Sequence, residues 1–131
     1  MLGRITSACA VALLSVGLVP LNIAEAATTA QVRIVDDYNH GKVRVAVDST
    51  THTVAYGHST ALFAITPSSS GNDGVSVTSL RFAGCGEGDV GNYFAPGHKY
   101  RVVVYHPKGQ ACILSDGSRV AGPGFRIVKV S

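Results

Sequence analysis

The stretch CGEGDVGNYFAPGHKYRVVVYHPKGQAC, from Cys85 to Cys112, decides how this chain is read. It holds a glycine-rich acidic segment, an Ala-Pro-Gly turn and the strongest strand signal in the sequence, with a cysteine at each end. In Tyr100-Arg-Val-Val-Val-Tyr-His106 the β-branched and aromatic residues suit a pleated, half-buried surface, and Pro107-Lys-Gly109 stops the run. The reading is a disulfide-closed loop-and-strand unit on a small β-domain.

Upstream, Met1 to Arg4 is a short basic start and Ile5 to Val19 is mostly apolar. Pro20 breaks that run, and Ala24-Glu25-Ala26 places small residues before a cleavage point. This is the pattern of a secretory signal peptide over residues 1–26, an N-terminal signal helix. The apolar run of about 15 residues falls short of the ~20 needed to span a bilayer. Cys9 precedes the end of the run, which does not suit a lipid anchor. The expected mature chain is residues 27–131, one secreted or periplasmic domain with no membrane span. Roughly a hundred residues are enough for one domain that buries over ~60% of its unfolded surface.

Arg4 and Glu25 leave together, so the net charge of +3 is unchanged by cleavage. The remaining cations are Arg33, Lys42, Arg44, Arg81, Lys99, Arg101, Lys108, Arg119, Arg126 and Lys129, spread singly along the chain. Nucleic-acid binding needs a concentrated positive footprint that releases counterions. No run of cations exists, so mild basicity reads as solubility and no nucleic-acid partner is expected.

Of the 3 cysteines, Cys9 lies in the signal segment, leaving Cys85 and Cys112 as one even pair in an oxidising compartment. Bridging them closes a loop of about 27 residues, on the order of 3–4 kcal/mol on the chain-entropy model. That is a large share of a typical ~5–15 kcal/mol stability. Export argues against two free thiols serving as metal or catalytic groups.

Period-two alternation runs through the mature chain and no helical stripe emerges. Gln31 to Val35 alternates with Val32 and Ile34 on one face, and Asp36 to Gly41 is a turn cluster. Lys42 to Val47 alternates with Val43, Val45 and Val47 inward. Asp48 to Thr51 turns the chain into a short strand over Thr53–Tyr56. Thr60 to Thr66 is a more continuous apolar run, of the kind found in a central strand. Ser68 to Gly74 reads as a flexible loop. Val75 and Val77 then alternate, but Leu80 and Phe82 fall on the opposite phase, which implies a bulge or bend near Thr78–Ser79. Asp116-Gly117 reads as a two-residue hairpin turn, and Phe125 to Val130 as a terminal strand. About seven to nine short strands at regular spacing point to an all-β fold, a small antiparallel β-sandwich.

Ala95-Pro-Gly-His-Lys-Tyr-Arg-Val-Val-Val-Tyr105 resembles the turn and strand of fibronectin type III and related immunoglobulin-like sandwiches. The resemblance implies that Tyr100 packs at the sheet corner with its hydroxyl bonded to nearby backbone. It covers about 11 residues, and the Trp of immunoglobulin domains is absent.

Three local patterns invite sharper chemistry. Gly86-Glu-Gly88-Asp-Val-Gly91 matches the G-x-G-x-x-G of dinucleotide-binding turns. No helix signal follows it, however, and Glu87 and Asp89 would repel phosphate. Tyr56-Gly-His-Ser59-Thr-Ala61 is close to a nucleophile elbow, which needs a strand-to-helix turn on a large α/β sheet. A chain of short strands does not supply one. Glu87, Asp89 and Asn92 put three oxygen donors within six residues, short of the full calcium-loop spacing.

The 5 histidines, His40, His52, His58, His98 and His106, are weak metal candidates. No pair has close spacing, and His98 and His106 flank one strand. No cofactor is implied and no nucleophile–base pair is matched. The expected function is a non-enzymatic binding or structural module of the cell envelope or secretome, an inhibitor-like binder being one version. The partner would be a protein or another envelope ligand, with the chain itself a monomer. The alternative is a secreted protein handling copper, zinc or calcium. The first surface to inspect is the segment carrying Glu87, Asp89, Asn92 and Tyr93, which has no evident packing task.

Overall fold

The computed structural model describes residues 28–131; the signal segment expected at residues 1–26 lies outside them. No helix occurs among the described residues, which form ten strands, slightly more than the spacing predicted. They are β1 (Ala30–Asp36), β2 (Val43–Val47), β3 (Thr50–Val54), β4 (Phe63–Ile65) and β5 (Asp73–Ser79), followed by β6 (Gly86–Gly91), β7 (Lys99–Tyr105), β8 (Ala111–Ile113), β9 (Arg119–Ala121) and β10 (Gly124–Lys129).

Two four-stranded sheets, ordered β10-β7-β1-β4 and β3-β2-β5-β6, accompany the small β8-β9 ribbon. Alternation explains which side chains meet. Val32 and Ile34 of β1 and Tyr100, Val102 and Val104 of β7 are buried, as are Val43, Val45 and Val47 of β2 and Val75 and Val77 of β5. All belong to one hydrophobic cluster drawn from both four-stranded sheets. Burying each such side chain contributes roughly 1.5–3 kcal/mol against exposure.

Not every pairing is antiparallel: β1 and β7 run parallel, with Val32 beside Tyr100 and Ile34 beside Val102. A parallel pair needs a long connection, and here the whole of the other sheet intervenes between the two strands.

Several local expectations are corrected. The apolar run over 60–66 is not central. β4 is a three-residue strand at the edge beside β1, with Phe63 and Ile65 turned to the core and Leu62 exposed. No bulge interrupts Thr78–Ser79. β5 continues in phase to a buried Ser79, whose hydroxyl accepts the Phe82 N–H at 3.0 Å, and the phase change marks where the strand ends. β5 already begins at Asp73, inside the stretch read as a serine-glycine loop. β3 likewise begins at Thr50, directly after a tight turn at the positive-φ Asp48. The β8–β9 loop is not a two-residue turn. Leu114 N–H donates to Ser118 C=O, Gly117 N–H donates to Leu114 C=O, and Gly117 alone takes positive φ. That is a three-residue loop with a glycine bulge.

The ribbon is fastened at several points. Cys85 and Cys112 form the expected disulfide, with Cα atoms 5.7 Å apart and Cys85 buried. The fully buried Tyr38 donates its hydroxyl to Ala121 C=O at 2.5 Å, and Gln110 donates to Pro123 C=O at 3.1 Å.

Candidate recognition site

The glycine-rich acidic segment read as a loop is a strand. β6 pairs with β5 over its whole length, setting Glu87 beside Val77 and Asp89 beside Val75. The glycines are there for close approach rather than for flexibility. A Cβ on Gly86 would stand 2.4 Å from the Val77 carbonyl oxygen and one on Gly88 3.2 Å from Ser76 Cβ. At Gly86 a side chain would collide with the β5 backbone, and at Gly88 the Ser76 side chain would have to give by a few tenths of an ångström.

The ladder fixes which backbone groups remain open. Ser79 N–H donates to Cys85 C=O at 2.8 Å. Hydrogen-bonded pairs alternate in an antiparallel ladder, so Glu87, Asp89 and Gly91 bond toward β5 while Gly86, Gly88 and Val90 face away. β6 is the edge of its sheet. The outward Val90 N–H is taken by the Asp89 carboxylate at 2.9 Å, which leaves Gly86 and Gly88 as the open stretch. An exposed edge of this kind is a template for pairing with another chain, and charges are one way of guarding it.

Glu87 and Asp89 share the face of Val75 and Val77, so both carboxylates turn to the inner side of the sheet beyond the apolar cluster. Across from them runs β10, itself the edge of the other sheet. A cleft of about 360 Å³ lies between, lined by Glu87, Asp89, Tyr93, Phe125 and Arg126 among others. The Tyr93 hydroxyl donates to Asp89 Oδ2 at 2.5 Å, and its ring meets Phe125 edge-on with centroids 6.4 Å apart. The bond from Tyr93 holds the Asp89 carboxyl below its ordinary range. The same carboxylate pushes the Tyr93 hydroxyl up to about 12. Both oxygens of Asp89 are engaged, one by Tyr93 and one by Val90.

Glu87, Asp89 and Tyr93 therefore come together, but Asn92 does not join them. Its side chain lies against Gly71 and borders a separate groove with Ser68, Phe94 and Pro96. The trio of oxygen donors that resembled a calcium loop is thus divided. Phe125 and Arg126 belong to the cleft without any local sign in the sequence, because β10 reaches β6 only through the tertiary fold.

The histidines are dispersed. His40 lies near the rings of Tyr38 and Phe82, and His52 stacks on Phe63 at 4.2 Å. His58 sits in a turn whose carbonyl accepts Asp36 N–H. The Nδ1 atoms of His98 and His106 lie 3.0 and 2.8 Å from the Ser131 and Gly122 carbonyl oxygens. Among the described residues no three His, Cys, Asp or Glu side chains are grouped to hold a metal ion. No helix among them is long and apolar enough to cross a membrane. Ser59, in the near-elbow motif, makes an isolated bridge to Val35.

One residue escaped sequence reading altogether. Asp36, placed there in a turn cluster, ends β1 and is fully buried. Its Oδ1 accepts Tyr38 N–H at 2.8 Å and its Oδ2 has no partner. Burial pushes its pKa up to about 6, with the neighbouring Asp37 charge adding to the rise and the Tyr38 bond opposing it.

The fold and the cleft define a class: described residues that are all β, closed by one buried disulfide, with a free strand edge beside an acidic cleft. No protein-family model matches the chain, and no curated protein is significantly similar to it in sequence.

Proposed function

We propose that this chain is an exported β-sandwich of immunoglobulin or fibronectin type III-like architecture, acting as a non-enzymatic binding or structural module of the secretome or cell envelope. Its partner adds an extended segment along the free edge of β6. The sandwich reading is supported by the single cluster shared by the two four-stranded sheets. It is also supported at the turn before β7, where the buried Tyr100 hydroxyl accepts Ala95 N–H at 2.9 Å, the bond that a tyrosine corner makes. The disulfide suits an oxidising compartment.

The observation that carries the binding reading is the outward backbone of Gly86 and Gly88 beside the cleft. Strand addition uses such main-chain groups for affinity and neighbouring side-chain pockets for specificity. Val90→Pro tests it, because Val90 ends the open Gly86–Gly88 stretch and a proline ring there obstructs a strand laid along the edge, while the N–H it removes is bonded to the Asp89 carboxylate and not to β5. An envelope protein that is retained by the wild-type chain and lost by a folded Val90→Pro variant is the expected result. Equal retention by both overturns edge docking. A stoichiometric copper, zinc or calcium ion held through native mass spectrometry overturns the metal-free reading.

A further inference from the structure

The outer face of the β10-β7-β1-β4 sheet gathers cations that the sequence scatters. Burial of Val32 and Ile34 sends Gln31, Arg33 and Val35 to the opposite face, and burial of Tyr100, Val102 and Val104 does the same for Lys99, Arg101 and Val103. Register then sets Arg33 directly beside Arg101 and Gln31 beside Lys99, with Arg126 flanking Val103. Arg33, Lys99, Arg101 and Arg126 are all exposed, and no Asp or Glu takes an outward position on these four strands. Arg126 lies over the Tyr105 ring at 5.1 Å.

Like charges directly opposite in a sheet are destabilising, so the Arg33–Arg101 pair weakens the fold rather than supporting it. The acids lie elsewhere. Glu87 and Asp89 are on β6, Asp48 is in the β2–β3 turn, Asp116 is in the β8–β9 loop, Asp36 and Asp73 are buried, and Asp37 is exposed just past the end of β1. Aliphatic side chains flank the cations on both sides: Leu62 is 41% exposed near β4, Val128 36% and Val130 52% near β10. Arg33, Leu62, Lys99, Arg101 and Val130 border one shallow depression of about 100 Å³.

We propose that this face docks on the anionic leaflet of a lipid bilayer. A sheet face presents its cations in one plane, which complements a plane of lipid phosphates, and the attraction acts within a Debye length. The flanking Leu62, Val128 and Val130 find a place in the interfacial region, whereas an anionic polymer would leave them in water. Attachment through so few groups is weak and reversible. It does not use the β6 edge, which lies on the other sheet, and shares only Arg126 with the cleft beside that edge.

Vesicle co-sedimentation of the folded, oxidised protein tests this. Binding is expected to phosphatidylcholine vesicles containing phosphatidylglycerol and not to phosphatidylcholine alone. It should fade as the Debye length shrinks from ~10 Å at 0.1 M salt to ~3 Å at 1 M. Arg33→Gln with Arg101→Gln lowers partitioning about 30-fold, which converts to roughly 2 kcal/mol. Lys42→Gln with Arg44→Gln removes the same charge from the other sheet and leaves partitioning within about twofold if location matters. Leu62→Ser with Val130→Ser weakens vesicle binding but not any binding to heparin. Failure to bind the anionic vesicles overturns the proposal, as does an equal loss from the two charge pairs. Binding to heparin or DNA that exceeds vesicle binding and ignores the Leu62/Val130 change also overturns it, in favour of a polyanion.

Discussion

β6 and β7 follow one another inside the same disulfide loop, yet they are strands for different reasons. β7 is paired on both sides, by β1 and β10, and sends Tyr100, Val102 and Val104 into the core. β6 is paired on one side only and contributes nothing to the hydrophobic cluster. Side-chain burial makes β7. A backbone ladder, glycines that permit close approach, and the tether at Cys85 make β6. A strand of the second kind keeps one side open, which is why the two differ in what they offer a partner.

The largest expected effect comes from cutting the tether. Cys85→Ser with Cys112→Ser should cost on the order of 3–4 kcal/mol in denaturant unfolding, and the exchange protection of β6 should fall more than that of β7. Next is the buried carboxyl that stands beside β7, where Asp36 is in register with Val104. Its pKa is raised from 3.8 to about 6 on folding, so the folded state binds the extra proton between those values. Stability should therefore rise as pH falls through 6 toward 4, by up to roughly 2–3 kcal/mol, and be lost again above 6. Asp36→Asn should flatten that part of the profile.

On the β6 side, Gly86→Ala drives a Cβ against the Val77 carbonyl and should cost about 1–3 kcal/mol. Gly74→Ala, in open space on the partner strand β5, should stay within about 0.5 kcal/mol. Equal costs would mean that close approach at Gly86 is not what holds β6 against β5. The smallest effect belongs to the turn before β7. Tyr100→Phe removes the acceptor for Ala95 N–H and should cost about 1 kcal/mol, readable as a lowered melting temperature.

The comparison also explains what was legible in the sequence. β1, β2 and β7 announce themselves through alternating valines because their side chains do the packing. The pairing of Cys85 with Cys112 follows from an even count once residues 1–26 are read as a signal peptide, and the bond between the Tyr100 hydroxyl and nearby backbone was implied by the resemblance of residues 95–105 to fibronectin type III sandwiches. β6 was hidden because Gly-Glu-Gly-Asp carries no apolar alternation. What holds it is the Val77 carbonyl and the ladder to β5, neither of which is written in its own residues. The cleft was half visible, since Glu87, Asp89 and Tyr93 are local while Phe125 and Arg126 arrive through topology. The basic face was invisible for the same reason: Arg33 and Arg101 are far apart along the chain and become neighbours only through the parallel β1–β7 register. Asp36 looked like a turn residue because Asp-Asp-Tyr-Asn-His-Gly is turn chemistry. The strand runs one residue further than that composition allows for.

Native-state amide hydrogen exchange, followed residue by residue across 85–92, tests the account of β6 most directly. Glu87 and Asp89, bonded to β5, should be protected together with Val75 and Val77, while Gly86 and Gly88 exchange freely. Rapid exchange at all four of these β6 amides would mean a loop, and would remove both the edge and the recognition site proposed on it.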